Sequence, residues 1–233
     1  SQFIPEMVIL DQPFLFDTVE QAHAAADGKI GELVKAKAAE QGIHMIGWLE
    51  SGFRDTFSKN PIKSADDFKG VKIRTMENKM QIAAFNATGA IATPMPATEQ
   101  YTALQQGTID ACENAVGNML KNRYYEVIKN VTNTKHQFTY ILVGLSDRAW
   151  NSIPDELKPK VEEAMKNAVA WQRQNLKEIN DEATAELKKL GVNFYDIDRE
   201  AMKAKELPEV EKLRNNVPQE WVDAVAEAVA SAK

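Results

Sequence analysis

Cysteine is nearly absent from this chain of 233 residues. The single one, Cys112, excludes an internal disulfide and any multi-cysteine metal site. Histidine is scarce as well. His23 lies on a helix pattern, His44 opens a strand pattern and His136 sits in a polar stretch, so all three read as structural side chains. The sequence contains no H-E-x-x-H, G-x-S-x-G, G-x-x-x-x-G-K or G-x-G-x-x-G, which removes the usual signatures of zinc, serine, nucleotide and dinucleotide enzymes. Long apolar runs are missing too. The longest clean one, Tyr140–Leu145, is far short of the ~20 residues that cross a bilayer. No charged-then-apolar leader opens the chain, and a mature exported protein would begin the same way. Basic clusters are lacking, and the net charge of −6 argues against nucleic acid as a partner. No internal repeat or low-complexity linker interrupts the sequence.

What is present is an alternation of strand and helix patterns. An apolar start with Pro5 and Pro13 reads as buried irregular chain or short strand. Thr18 caps a helix that runs to Ala26, and a second helix spans about Ile30 to Gln41. HMIGWL (His44–Leu49) and GFRDTF (Gly52–Phe57) read as two short strands. The strand ending VKIR, the helix Lys79–Gly89, the helix Thr98–Gly107 and the strand TIDACEN imply parallel βαβ units. Further extended segments are expected around Val131 and at Tyr140–Leu145. From Asp155 to Leu190 there is no glycine, and no proline after Pro159. There Val161, Met165, Ala168, Gln172, Leu176, Ile179, Ala183, Leu187 and Leu190 recur at helical spacing. A helix of that length extends roughly 50 Å, so it must cross two lobes or project into a partner. The final helix is expected at about Gln219–Ala232.

In open α/β sheets, ligands sit beyond the carboxyl ends of the strands. Arg74 and Asn114 occupy such ends, a fixed cation and a neutral amide suited to an organic anion. The planar arginine fork grips a carboxylate through parallel hydrogen bonds, although a strand-end arginine also serves as a solvated charge or a structural ion pair. Arg54 is a second candidate cation. Glu113 reads as the partner that orients an arginine, with acid–base catalysis as the alternative. Phe53 and Tyr101 are aromatic candidates for the crevice wall, with core packing as the default for each.

The run GVKIRTMEN followed by ATGAIATPMPATEQYTALQQGTIDACEN resembles the solute-binding proteins of tripartite ATP-independent periplasmic (TRAP) transporters, dicarboxylate-binding type. PEMVILDQPFLF, YYEVIKNVT, LSDRAWNSIPDEL and the long helix extend the resemblance nearly from end to end. It implies a two-lobed α/β clamshell of the periplasmic-binding-protein kind, bridged by one long helix. Residues 1–52 and 140–179 are expected to form lobe one, and 53–139 with 180–233 lobe two. The family carries a further segment ahead of PEMVILDQPFLF, so lobe one is expected to be incomplete at its N-terminus. The resemblance also implies a periplasmic, monomeric, non-enzymatic receptor that hands a small organic acid to a membrane permease, without cofactor or metal. By position, Arg74 matches the arginine that salt-bridges the substrate carboxylate, Arg54 a second cleft arginine, and Asn114 the asparagine beside the ligand. Two departures stand out: Ala97 where many members have an aromatic residue, and Ala111-Cys112 in place of the common Gly-Gln. The competing expectation is a small-molecule α/β lyase or isomerase acting on a carboxylate through Glu113 or His136.

Overall fold

The computed structural model describes residues 3–214 and 216–232. In chain order the helices are α1 (Val19–Asp27), α2 (Lys29–Glu40), α3 (Lys79–Ala87), α4 (Gln100–Gln106), α5 (Val116–Lys121), α6 (Asp147–Asn151), α7 (Lys158–Lys189), α8 (Arg199–Arg214) and α9 (Gln219–Ser231). The strands are β1 (Ile43–Ser58), β2 (Lys72–Thr75), β3 (Ile91–Pro94), β4 (Ala111–Asn114), β5 (Asn130–Ser146) and β6 (Asn193–Asp196). They form one mixed sheet in the order β3-β2-β4-β1-β5-β6.

Local signals set several of these boundaries. Thr18 and Gln21 close a reciprocal capping box that starts α1. The apolar opening becomes a 3-10 turn at Pro5–Asp11, with proline in its first turn, where a missing N–H leaves no bond unmade. Gly107, at φ +79°, stops α4 in the left-handed region.

The expected short strands fuse. HMIGWL and GFRDTF are one strand of 16 residues, β1, and the extended pieces around Val131 and Tyr140 are one strand of 17, β5. The two pair antiparallel from Ile43↔Ser146 to Ser58↔Asn130. Register shifts at Met45/Gly47, Glu50/Gly52 and Arg54/Thr56 let so long a ribbon bend without breaking. Gly52, at φ +81°, supplies a conformation that side-chain-bearing residues rarely adopt. Gly52, the expected start of a strand, is instead a bend inside one.

The ribbon carries a separate core at each end. At one end α1, α2 and α9 pack Ala22, Ile30, Val34 and Trp221 against Trp48 and Phe138. At the other, Phe57, Leu104, Cys112, Met119 and Leu187 fill one side of the sheet, and Phe68, Ile73, Phe85 and Met202 the other. Grouped by sequence with 53–139, residues 180–233 divide in the structure. α8 packs on α3, whereas α9 packs on α1 and α2. The hydrophobic face of α9, with Trp221, Val225 and Ala228, finds its apolar partner there.

The long helix is continuous over 32 residues and joins both ends. Met165 and Val169 lie over Gly47 in the first half of β1. The Gln172 amide donates to the Glu50 carbonyl at 2.6 Å, and Arg173 grips Asp27 of α1 at 2.6 and 2.9 Å. About three to four turns further on, Ala183 and Leu187 are buried, Leu187 in the core beneath β4. Of the expected stripe, Ala168 and Ile179 are exposed, so the packed face is narrower than periodicity alone indicates.

Candidate functional site

Strands β2 and β4 run parallel, with Ile73 opposite Ala111. Their carboxyl ends therefore open on one edge, where Arg74 and Asn114 stand. Strand β1 runs antiparallel to β4, placing Thr56 opposite Glu113 and Asp55 opposite Asn114. That register carries Arg54 to the same edge.

Arg54 and Glu113 are 4% and 0% exposed. The arginine Nη2 donates to Glu113 Oε1 at 2.8 Å and to the Glu113 carbonyl at 3.0 Å, while Nε donates to Oε2. Its Nη1 donates to the Thr139 hydroxyl at 3.2 Å. His136 Nε2 lies 3.3 Å from Glu113 Oε2, and its Nδ1 lies 2.8 Å from the Thr134 hydroxyl. Burial pushes the Glu113 carboxyl up, but the Arg54 charge and the hydrogen bonds from His136 and Arg54 outweigh it and hold it at about 2. A carboxylate held this far below neutrality is a poor proton acceptor.

Arg74 differs. It is 5% exposed, and its Nε and Nη2 donate to the Met95 carbonyl at 3.0 and 2.8 Å. Among the described residues it makes no ion pair with a carboxylate. Burial lowers its pKa; Glu113 opposes that shift and Arg54 reinforces it. A guanidinium has five N–H donors, so the carbonyl at Met95 leaves most of the fork available. Half-buried Asn114 accepts through Oδ1 from the Ala115 amide at 2.9 Å and from Asn118 at 2.8 Å. Its own amide hydrogens are not engaged by those bonds.

The two aromatic candidates lie elsewhere. Successive residues of a strand face opposite ways, so Phe53 points away from Arg54 and meets Phe138 edge-on at 5.3 Å. Tyr101 borders the core beneath β4, and its hydroxyl donates to Glu126 at 2.8 Å. Neither joins the arginines.

The structure also adds residues that no sequence pattern marked. A cavity of about 290 Å³ is lined by Asp11, Met76, Asn78, Gln137, Thr139 and neighbours. Asp11 accepts from Asn78 at 2.6 Å and from Gln137 at 3.2 Å, and Gln137 in turn accepts from Gln81 at 2.8 Å. Thr139 belongs both to this cavity and to the Arg54 cluster. The β1–β5 register explains this, since it sets Arg54 against Gln137 and Gly52 against Thr139 on one face. A larger hollow of about 720 Å³ lies between α5 and α7 and includes none of the strand-end arginines.

A two-lobed scaffold with a buried, carboxylate-free cation at its strand-end crevice has the form of a solute-binding protein. The chain belongs to bacterial extracellular solute-binding protein family 7, whose model matches residues 1–216. It is 35% identical over 199 residues to the 2,3-diketo-L-gulonate-binding periplasmic protein YiaO of Escherichia coli (strain K12), covering 84% of this chain and 61% of that protein. The chain thus spans about three-fifths of the length of that relative. The sugar acid binding protein DctPAm of Advenella mimigardefordensis strain DPN7T, in complex with galactonate, superposes with a TM-score of 0.95 at 30% identity, covering 100% of this chain and 76% of that one. A TRAP periplasmic solute-binding protein of Shewanella oneidensis with bound succinate gives a TM-score of 0.92 at 26% identity, covering 100% and 76%. The family is one of binding proteins rather than enzymes. The lyase or isomerase alternative finds no support there, and the clamped state of Glu113 supplies the physical reason.

Proposed function

We propose that this chain is the ligand-capturing part of a periplasmic solute-binding subunit of a TRAP transporter, holding a small organic acid by its carboxylate for delivery to a membrane permease. The observation that carries this reading is Arg74: a buried guanidinium at a strand end with no carboxylate partner among the described residues. A buried charge is costly unless paired, and a guest carboxylate supplies the missing partner. Arg54, already neutralised by Glu113, acts chiefly as a fixed wall, and Asn114 offers neutral donors. Lobe one comprises residues 1–52 and 140–179 joined by α9; lobe two comprises 53–139 and 180–214. Closure of the two over the ligand strengthens the charge-assisted bond by excluding water.

The test is calorimetric titration of the full-length protein with a panel of organic acids, alongside Arg74→Ala. At least one acid should bind and be recovered unchanged. Loss of one partner of a buried charged pair costs about 2–5 kcal/mol, so Arg74→Ala should weaken binding by roughly thirtyfold or more. Chemical turnover of the acid, or a folded Arg74→Ala that binds within about threefold of wild type, would overturn the reading.

A further inference from the structure

We infer that Pro96 is a positioning residue for Arg74: it fixes the backbone carbonyl of Met95, and that carbonyl holds the side edge of the guanidinium, leaving the end edge for a guest carboxylate. The inference rests on the carboxylate-binding role proposed above. A guanidinium carries its N–H donors in a rigid planar fork with distinct edges. On Arg74 the side edge is taken, since Nε and Nη2 both donate to the Met95 carbonyl, at 3.0 and 2.8 Å. The end edge, Nη1 with the second hydrogen of Nη2, is not used by this carbonyl. It presents two parallel donors, the arrangement that matches a carboxylate. One oxygen atom therefore decides which edge of the fork is offered, and the ψ angle of Met95 sets where that oxygen points.

Met95 is constrained from three directions. Its N–H donates to the Thr75 carbonyl at 3.3 Å, which carries the parallel β2–β3 ladder one step past the Thr75↔Pro94 pair. Its side chain is partly buried against the core beneath β4. Its ψ is limited by the residue that follows, because a proline ring clashes with the N–H and Cβ of the residue before it and confines that residue to extended conformations. Pro96 itself lies at φ −56° and ψ 145°, where its ring imposes no strain. The ring is exposed, so packing does not account for it. The Pro96 carbonyl accepts from the Glu99 N–H at 3.2 Å, but any residue supplies a carbonyl. What proline alone brings is restriction, of its own φ and of Met95. Arg54 is held differently: Glu113 takes it through both carboxylate oxygens, so its aim does not depend on the 95–96 link.

Pro96→Ala in the full-length protein tests this by two measurements. Hydrogen exchange at the arginine Nε–H groups, followed by NMR without ligand, reads the hold directly. Exchange at Arg74 should quicken by about two- to fivefold, the worth of one residue's backbone restriction, while exchange at Arg54 stays unchanged. Calorimetric titration with galactonate, a sugar acid, and succinate, a dicarboxylate, should show an affinity loss of the same size. In an Arg74→Lys background that loss should vanish, because an ammonium has no planar edge to aim. Pro96→Ser should behave as Pro96→Ala does, and provides the test if the alanine protein does not fold. Equal quickening at both arginines, or at neither, overturns the inference. So does an affinity loss of one factor in the arginine and lysine backgrounds alike, which is what a general loosening of the loop predicts. An acid that binds wild type and Pro96→Ala equally overturns it too, while leaving the carboxylate reading intact. If the wild type binds neither these acids nor any other of the panel, that reading and this inference fall together.

Discussion

Arg54 grips Glu113 through a two-pronged ion pair, both side chains buried, that ties β1 to β4 beneath the strand-end crevice. Twenty residues further along the chain, Arg74 reaches the same edge and, among the described residues, donates to the Met95 carbonyl alone. The two arginines thus differ: one is neutralised within the fold, whereas the other makes no ion pair among the described residues.

Glu113→Gln should be strongly destabilising. It removes the charge that compensates buried Arg54, and breaking a buried pair this way costs about 3–5 kcal/mol. The pH dependence has a definite sign. The folded Glu113 carboxyl is held at about 2, below its ordinary 4.5. Its stabilisation is therefore full above about 4.5 and is lost as pH falls towards about 2. Urea melts of both proteins across that window should show an acid-side fall in the wild type that Glu113→Gln reduces.

Glu206 should act in the opposite direction. It lies on α8, the helix that packs on α3, is 1% exposed, and neither carboxylate oxygen has a hydrogen-bond partner among the described residues. Burial alone pushes its pKa from 4.5 to about 8. Between those values the unfolded chain releases a proton that the folded chain retains, so stability falls as pH rises. Glu206→Leu should raise the melting temperature most near pH 8 and flatten this slope, because an apolar side chain has no charge to desolvate. Thermal melts from pH 5 to pH 9 check it; an unchanged slope would count against the assignment.

The contact of α7 on the ribbon depends on Gly47. A Cβ built there would lie 3.0 Å from Met165 Cγ and 3.3 Å from Val169 Cγ2. Gly47→Val should overpack the contact, at about 1–3 kcal/mol, and Met165→Ala should recover part of that loss in the double variant. A double-mutant cycle in which the two effects simply add would show that α7 is not seated as described.

Arg74→Lys should recover only part of the affinity that Arg74→Ala loses. A lysine restores the charge but not the planar fork, which holds the Met95 carbonyl and in the proposed role would offer parallel donors to a carboxylate. Calorimetry on folded variants should rank wild type above Lys and Lys above Ala. Equal affinities for wild type and Lys would mean that charge alone suffices.

Much of this protein was legible in its residues. Thr18, Gly107 and the glycine-free span that became α7 marked helix limits through rules that operate within a few residues. The strand endings at Arg74 and Asn114 pointed to an anion site because parallel strands open their carboxyl ends on one edge. Other features depended on partners distant in sequence. The chain between Leu49 and Gly52 reads locally as a break between two strands, yet pairing with β5 turns it into a bend of a single strand. Trp221 and Val225 mark an apolar face of α9 without saying which core receives it, and only packing assigned that helix to α1 and α2. The distinct fates of Arg54 and Arg74, and the meeting of Asp11 with Asn78 and Gln137, were likewise decided in three dimensions. Local patterns fix backbone conformation through short-range sterics and hydrogen bonds, whereas the partner of a buried charge is chosen by strand register and packing across the whole chain.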